Sequence, residues 1–166
     1  MTEIVTQPSI PQGFPEELVA SGLFLLKRLG MAAKEDSLEA YEATGLHPYH
    51  HAILAVLDKG QQETQGAIGH ALGYDKSQLV GLVDELEEAG LIERRRDPLD
   101  RRRHVVHITP AGRKMLTRLR RLSETVENEF MSSLDDDERR QLHDLLFKLA
   151  QDHLPNCRFV EKPAKA

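Results

Sequence analysis

Thr64-Gln65-Gly66-Ala67-Ile68-Gly69-His70-Ala71-Leu72-Gly73, Tyr74, and then Asp75-Lys76-Ser77-Gln78-Leu79-Val80-Gly81-Leu82-Val83-Asp84-Glu85-Leu86 is the stretch on which the fold turns. Thr64 is placed to N-cap a short helix through Leu72, because its hydroxyl can accept a backbone N–H that a first helical turn leaves without a partner. Gly73-Tyr74 supplies a tight turn. Asp75 is a second N-cap, and Gln78 three residues on is spaced to complete a capping box. Leu79, Leu82, Val83 and Leu86 then recur at the spacing of one buried helical face, until Gly90 stops the pattern. Two short helices joined by a glycine turn stand in sequence, the second with the stronger start.

Downstream, helical spacing gives way to Leu91-Ile92-Glu93-Arg94-Arg95-Arg96, an Asp97-Pro98-Leu99-Asp100 turn, and Arg101-Arg102-Arg103-His104-Val105-Val106-His107-Ile108-Thr109. The β-branched return strand and the Pro-containing turn predict a β-hairpin. Pro110 opens the next helix, since proline's fixed φ and missing N–H are tolerated at a first helical position. Its Met115, Leu119, Leu122, Val126 and Phe130 form a coiled-coil-like seam. A last helix begins after Asp135-Asp136-Asp137, acidic residues that favour a helix N-terminus. It presents Leu142, Leu145, Leu146 and Leu149 and is closed by Pro155.

Upstream, Leu18, Gly22, Leu25, Leu26, Leu29, Ala33, Leu38 and Tyr41 predict one long helix from Glu16, bent near Gly30 and ended by Gly45. His47-Pro48 opens another, with Ile53, Leu54, Val56 and Leu57 as its apolar face and Gly60 just past its end. Residues 1–15, with Pro8, Pro11 and Pro15, read as an extended, poorly ordered arm, and residues 155–166 as a mobile tail.

A chain of 166 residues fits one domain. With 40% hydrophobic and 30% charged residues, 5% aromatics and no tryptophan, it suits a soluble, helix-rich protein better than a β-sandwich. No apolar run approaches membrane-spanning length, and residues 1–15 lack a basic region followed by an apolar stretch, so a cytoplasmic location is expected. A single cysteine, Cys157, forms no internal disulfide and no multi-thiolate metal site, which agrees with a reducing compartment. The net charge of −5 conceals a sharp segregation. Residues 1–92 carry 5 Lys/Arg against 14 Asp/Glu, residues 93–121 carry 11 against 3, and residues 122–166 carry 6 against 10. Positive charge concentrated in one short segment of an acidic chain is the distribution of a local phosphate-binding surface.

Helix, turn, capped helix and basic hairpin is the order of a winged helix-turn-helix, whose second helix enters the major groove. The chain resembles the MarR (multiple antibiotic resistance regulator) family over roughly residues 45–120. The likeness is carried by Thr64 to Gly73, Asp75-Lys76-Ser77, Leu82 to Glu87, Gly90-Leu91-Ile92-Glu93-Arg94, Asp97-Pro98-Leu99-Asp100-Arg101-Arg102, and Thr109-Pro110-Ala111-Gly112. The resemblance implies a mainly α fold of about six helices with a small hairpin wing. It also implies a homodimer and a transcriptional regulator, in the commonest case a ligand-responsive repressor on a pseudo-palindromic double-stranded operator. Residues 16–47 and 110–154 would form the helical dimerisation region and residues 48–109 the DNA-binding region. The apolar faces of the first and last two helices exceed what one small winged domain can cover, in keeping with burial against a second subunit.

The candidate DNA contacts are Thr64 and Gln65, then Lys76, Ser77 and Gln78 in the first turn of the recognition helix, and Arg101, Arg102 and Arg103 on the wing. The free N–H groups and side chains of a helix start can meet phosphates and base edges, and a glutamine amide can pair bidentately with adenine. The resemblance places one wing arginine, Arg102 foremost, in the minor groove, where narrow A·T-rich stretches concentrate negative potential. Gly81 departs from the family, which commonly has a basic residue there. The resemblance also implies a small-molecule effector, often an aromatic or phenolic acid, in a cleft between the dimerisation helices and the winged domain, and His47, Tyr49, His50 and His51 are the candidate ligand residues here. His47 and His51, at i and i+4, share a helix face suited to a ligand carboxylate or a divalent metal. The plainer alternative is that His47 caps the helix and the others pack or face solvent. No cofactor and no catalytic residue is expected, since a glycine-rich phosphate loop, His-Glu-x-x-His and Gly-x-Ser-x-Gly are all missing. The alternative function is a winged-helix protein-interaction module with little DNA binding of its own.

Overall fold

The computed structural model describes residues 13–59, 63–97, 100 and 104–154. The chain divides into two compact units, Met1–Asp36 and Ser37–Ala166.

In the first unit, α1 (Glu16–Val19) is a single turn, followed by the start of α2 (Gly22–Glu42). The expected single helix bent near Gly30 is instead broken at Ala20-Ser21, and α2 runs through Gly30. The cause is local. Ser21 Oγ accepts the Phe24 N–H at 3.3 Å, offering the backbone a helix start in place of continuation. Phe14 meets Phe24 edge-on at 5.1 Å between centroids, and the Arg28 guanidinium lies 5.3 Å from the Phe14 ring centre. Leu23, Leu25, Leu26, Leu29 and Met31 are exposed.

The second unit takes in the end of α2, then α3 (Pro48–Asp58), α4 (Gln65–Leu72), α5 (Lys76–Glu88), β1 (Ile92–Arg96), β2 (His104–Ile108), α6 (Pro110–Phe130) and α7 (Asp136–His153). The architecture is mainly helical with one antiparallel hairpin, paired from Ile92↔Ile108 to Arg96↔His104. Ile53 and Leu54 of α3, Ile68 of α4, Val83 and Leu86 of α5, Ile92 and Val106 of the hairpin, and Leu116 and Leu119 of α6 are buried in one core. Each such aliphatic side chain contributes roughly 1.5–3 kcal/mol. α3 packs against α4, α5, α6 and β2 and is the hub. On α6 the core-facing residues are Gly112, Leu116 and Leu119. Leu116, outside the predicted seam, is wholly buried, while Val126 and Phe130 are only half-buried.

The expected helix starts are borne out by their hydrogen bonds. Thr64 accepts from Ala67 N–H, Asp75 from Gln78 N–H, Thr109 from Gly112 N–H and Asp135 from Glu138 N–H. Gly73 sits left-handed at φ 69 at the end of α4. The capping box expected at Asp75 is half-built: Asp75 accepts from the Gln78 backbone, but the hydroxyl it holds is that of Ser77 at 2.7 Å. Full boxes form at α3, between His47 and His50, and at α7, between Asp135 and Glu138.

Thr109 joins the wing to α6. Its hydroxyl donates to Gly90 O at 2.8 Å, and its N–H to Leu91 O at 3.0 Å. This draws the α6 backbone so close that a Cβ at Gly112 would lie 2.0 Å from Leu91 O. A third segment edges the hairpin, where Val106 N–H donates to Glu63 O at 2.9 Å. Residues 1–12, Gly60, Gln61, Gln62, Pro98, Leu99, Arg101, Arg102, Arg103 and residues 155–166 lie outside the described residues, and with them the greater part of the predicted arm, the tail, Pro155 and Cys157.

Candidate nucleic-acid interface

α4 and α5 cross closely because Gly69 has no side chain. A Cβ there would stand 2.9 Å from Leu79 Cδ2, and Tyr74 N–H closes the turn on Gly69 O at 3.0 Å. The crossing buries Leu79, Val83 and Leu86 of α5. At 3.6 residues per turn, Ser77, Val80, Gly81, Asp84 and Glu88 therefore form the opposite, outward stripe, and all five are exposed. Lys76 is exposed on one flank, and Gln78 is half-buried on the other. The Asp75 carboxyl is held below the usual carboxylate range by the Gln78 backbone N–H and the Ser77 hydroxyl, so the cap is anionic at neutral pH. Thr64 and Gln65, half-buried at the start of α4, complete the described part of the predicted contact set. Arg101, Arg102 and Arg103 are outside it.

The basic segment is less free than its charge count suggests. Arg94 reaches from β1 to bind both Asp84 and Glu87 of α5, and its backbone N–H donates to Glu87 Oε1 at 3.0 Å. One hairpin arginine thus neutralises two carboxylates on or beside the outward stripe, where they would repel phosphate. Arg95 pairs with Glu93. Arg113 and Arg120 of α6 close on Asp58 of α3 at 2.7 and 2.8 Å, and hold its carboxyl below the usual range, Arg120 foremost. Arg96, Lys114, Arg118 and Arg121 are exposed. The sequence reading did not find Arg94's partners, which come from another element. Val80 was missed too, although counting three and four residues from Ser77, opposite the apolar face, would have found it.

The histidine cluster divides among three tasks. His47 is the N-cap of α3, its Nδ1 accepting from Tyr49 N–H at 3.2 Å while its own N–H donates to His50 Nδ1 at 2.9 Å. His50 is 3% exposed. Because its Nδ1 accepts, the proton of the neutral ring sits on Nε2. That nitrogen is 2.9 Å from Glu85 Oε2 on α5, but off-line for a hydrogen bond, so it has a charge partner and no hydrogen-bond partner among the described residues. His51 Nδ1 meets Tyr41 OH at 2.7 Å. Burial pushes both His50 and His51 below the ordinary histidine range, opposed by Glu85 at the first and reinforced by Arg120 at the second. Tyr49 stacks obliquely between His47 at 4.4 Å and Tyr74 at 5.2 Å. The i, i+4 pairing of His47 and His51 is therefore not used as a shared face: one ring caps the helix and the other bonds to Tyr41. Among the described residues no three His, Cys, Asp or Glu side chains are grouped to hold a metal.

Two helices crossing at a glycine turn, the second capped and facing outward, followed by an antiparallel hairpin, define a winged helix-turn-helix protein. Residues 44–103 match the MarR family model. A regulatory protein for the hcr operon of Thauera aromatica, described as putative, is 35% identical over 127 residues, 76% of each chain. The transcriptional repressor CouR bound to a 23-mer DNA duplex is 32% identical with a TM-score of 0.74, over 81% of this chain and 96% of that one. CouR from Rhodococcus jostii RHA1 bound to p-coumaroyl-CoA is 27% identical with a TM-score of 0.70, over 89% and 100%. The chain belongs to the MarR family and is a transcriptional regulator, not an enzyme. No helix among the described residues is long and apolar enough to cross a membrane.

Proposed function

We propose that the chain is a cytoplasmic, ligand-responsive repressor that binds a pseudo-palindromic duplex as a homodimer. The observation that carries this is α5: a capped helix whose outward stripe is exposed, with the acidic groups Asp84 and Glu87 neutralised from behind by Arg94. The DNA complex of CouR, similar over nearly its whole chain, supports the same use of the fold. In this reading Thr64, Gln65 and Lys76 meet phosphates, Ser77 does so through its backbone N–H at the helix start, Gln78 reads a base edge from the flank, and Arg101, Arg102 and Arg103 follow the backbone, with Arg102 in the minor groove. Residues 48–109 form the DNA-binding region, and residues 16–47 and 110–154 the dimerisation region. The effector is an aromatic or phenolic acid, or its thioester as in the CouR complex. It is received beside His47, Tyr49, His50 and His51, where His50 faces Glu85 of α5 and could pass a change to the recognition helix.

The test is footprinting of the purified protein on DNA flanking its own gene, across a salt series and with a panel of phenolic acids. Several phosphate contacts predict affinity falling steeply and linearly on a log–log salt plot, with the footprint released by one of the acids. Binding that is flat in salt, or absent, would favour a protein-interaction module. The exposed carboxylates of Glu85 and Glu88 on α5 are what such a module would present.

A further inference from the structure

Resting on α5 as the DNA-reading helix, we propose that Val80 determines specificity by contacting the C5-methyl group of a thymine in the major groove. Lone exposed apolar side chains are ordinary on protein surfaces, so exposure alone says little; position decides. Val80 is 39% exposed on the stripe of α5 that lies opposite Leu79, Val83 and Leu86. Its stripe neighbours within a turn or so offer few means of telling one base from another, and Glu88 lies about two turns away. Ser77 has its hydroxyl proton committed to Asp75, Asp84 is held by Arg94, and Gly81 has no side chain. Gln78 is half-buried to one side.

What remains at the centre of the stripe is a pair of methyl groups beside a gap. A Cβ at Gly81 would meet nothing within 4 Å, so a base edge can come close to the backbone there and against Val80. Valine is stiff about χ1 in a helix, so these methyls are held in place before binding and lose little freedom on contact. The major groove offers one apolar group to match them, the thymine methyl, the mark by which an A·T pair differs in shape as well as in hydrogen bonding.

The test replaces each thymine of the protected duplex in turn by deoxyuridine, which removes the methyl and leaves every donor and acceptor in place. Binding is measured for the full chain and for Val80→Ala, whose exposed site and helix-favouring replacement keep the fold, as circular dichroism will check. Removing one buried methyl group is worth about 0.8 kcal/mol, or about fourfold. We expect one thymine position in each half-site whose replacement weakens the parent about fourfold and leaves Val80→Ala unaffected. Parent binding insensitive to every replacement, or an equal penalty in parent and variant, overturns the assignment while leaving DNA binding intact. A parent that binds no duplex at all overturns the reading of α5 itself, and this assignment with it.

Discussion

The winged body and the helices at the ends of the chain treat their leucines differently. From α3 to the middle of α6 the aliphatic residues close on one another: Ile53, Leu54, Ile68, Leu86, Ile92, Leu116 and Leu119 are all wholly buried or nearly so. α2 buries Tyr41 alone, and α7 buries nothing. Leu23 is 77% exposed on α2 and Leu145 63% on α7. The body has the core it needs from its own sequence, whereas the terminal helices have apolar faces that a monomer leaves in water. The difference separates what one chain folds by itself from what the proposed homodimer would have to cover.

The largest effect expected from this contrast lies on α2. Replacing Leu23 and Leu29 together by glutamate removes two leucines from the proposed dimer contact, each worth roughly 1.5–3 kcal/mol when buried, so association should weaken by a hundredfold or more. Sedimentation velocity should show the parent as a dimer and the variant as a folded monomer with unchanged helical content. A parent that is monomeric at micromolar concentration, or a variant that stays dimeric, would break the comparison on the terminal side.

The body is broken at a different kind of place. Gly112→Ala puts a Cβ 2.0 Å from the Leu91 carbonyl oxygen and 2.8 Å from Ile108 Cγ1, atoms that the Thr109 bonds hold in place. Overpacking against backbone should cost about 3 kcal/mol or somewhat more, read as a lowered urea midpoint. Gly81→Ala, where the space is open, should instead be neutral or gain up to about 1 kcal/mol from helix propensity. Equal stability losses in the two variants would mean that the close approach at Gly112 is not what ties wing to helix.

These contrasts also mark how far the sequence could be read. Thr64 and Asp75 declared themselves as caps, Pro110 and the acidic run from Asp135 as helix starts, and Gly73 and Gly90 as helix ends, because these signals are settled within four residues. The hairpin was legible for the same reason. What was not legible depends on elements far apart in sequence. Arg94, Arg113 and Arg120 were only positive charges in the count for residues 93–121 until α5 placed Asp84 and Glu87 against the first and α3 placed Asp58 between the other two. Leu116 fell outside the heptad-like seam because the seam describes a face along α6, whereas burial is decided by where α3 crosses it. The break at Ser21 is a competition between a serine that can start a helix and an apolar pattern that would continue one, and the serine's bond to the Phe24 N–H prevails.

The wing tip carries the next prediction. Arg102→Ala should weaken operator binding by about 1–3 kcal/mol and leave both the urea midpoint and the oligomeric state where they were. A shift assay with unchanged affinity would remove Arg102 from the contact set. A large fall in stability would instead assign it, like Arg94, to holding the body together.

The smallest expected effect is a pH dependence confined to the body. His50 and His51 are both held below the ordinary histidine value of about 6.5 by burial, so below that pH the unfolded chain takes up protons that the folded chain refuses. Stability is therefore fully present above about pH 6.5 and falls as the pH drops, by at most about 1.4 kcal/mol per pH unit for each ring. Asp58 and Asp75 are held below the usual carboxylate range and stay ionised until more acid pH, so the interval from pH 6.5 to 5.5 isolates the histidines. His50→Gln should reduce the slope of stability against pH there. Burial is the main reason His50 resists a proton, and because Nδ1 accepts the His47 N–H, protonation there would also open the cap of α3. A stability curve flat across that interval would show that the cap yields to the proton without cost.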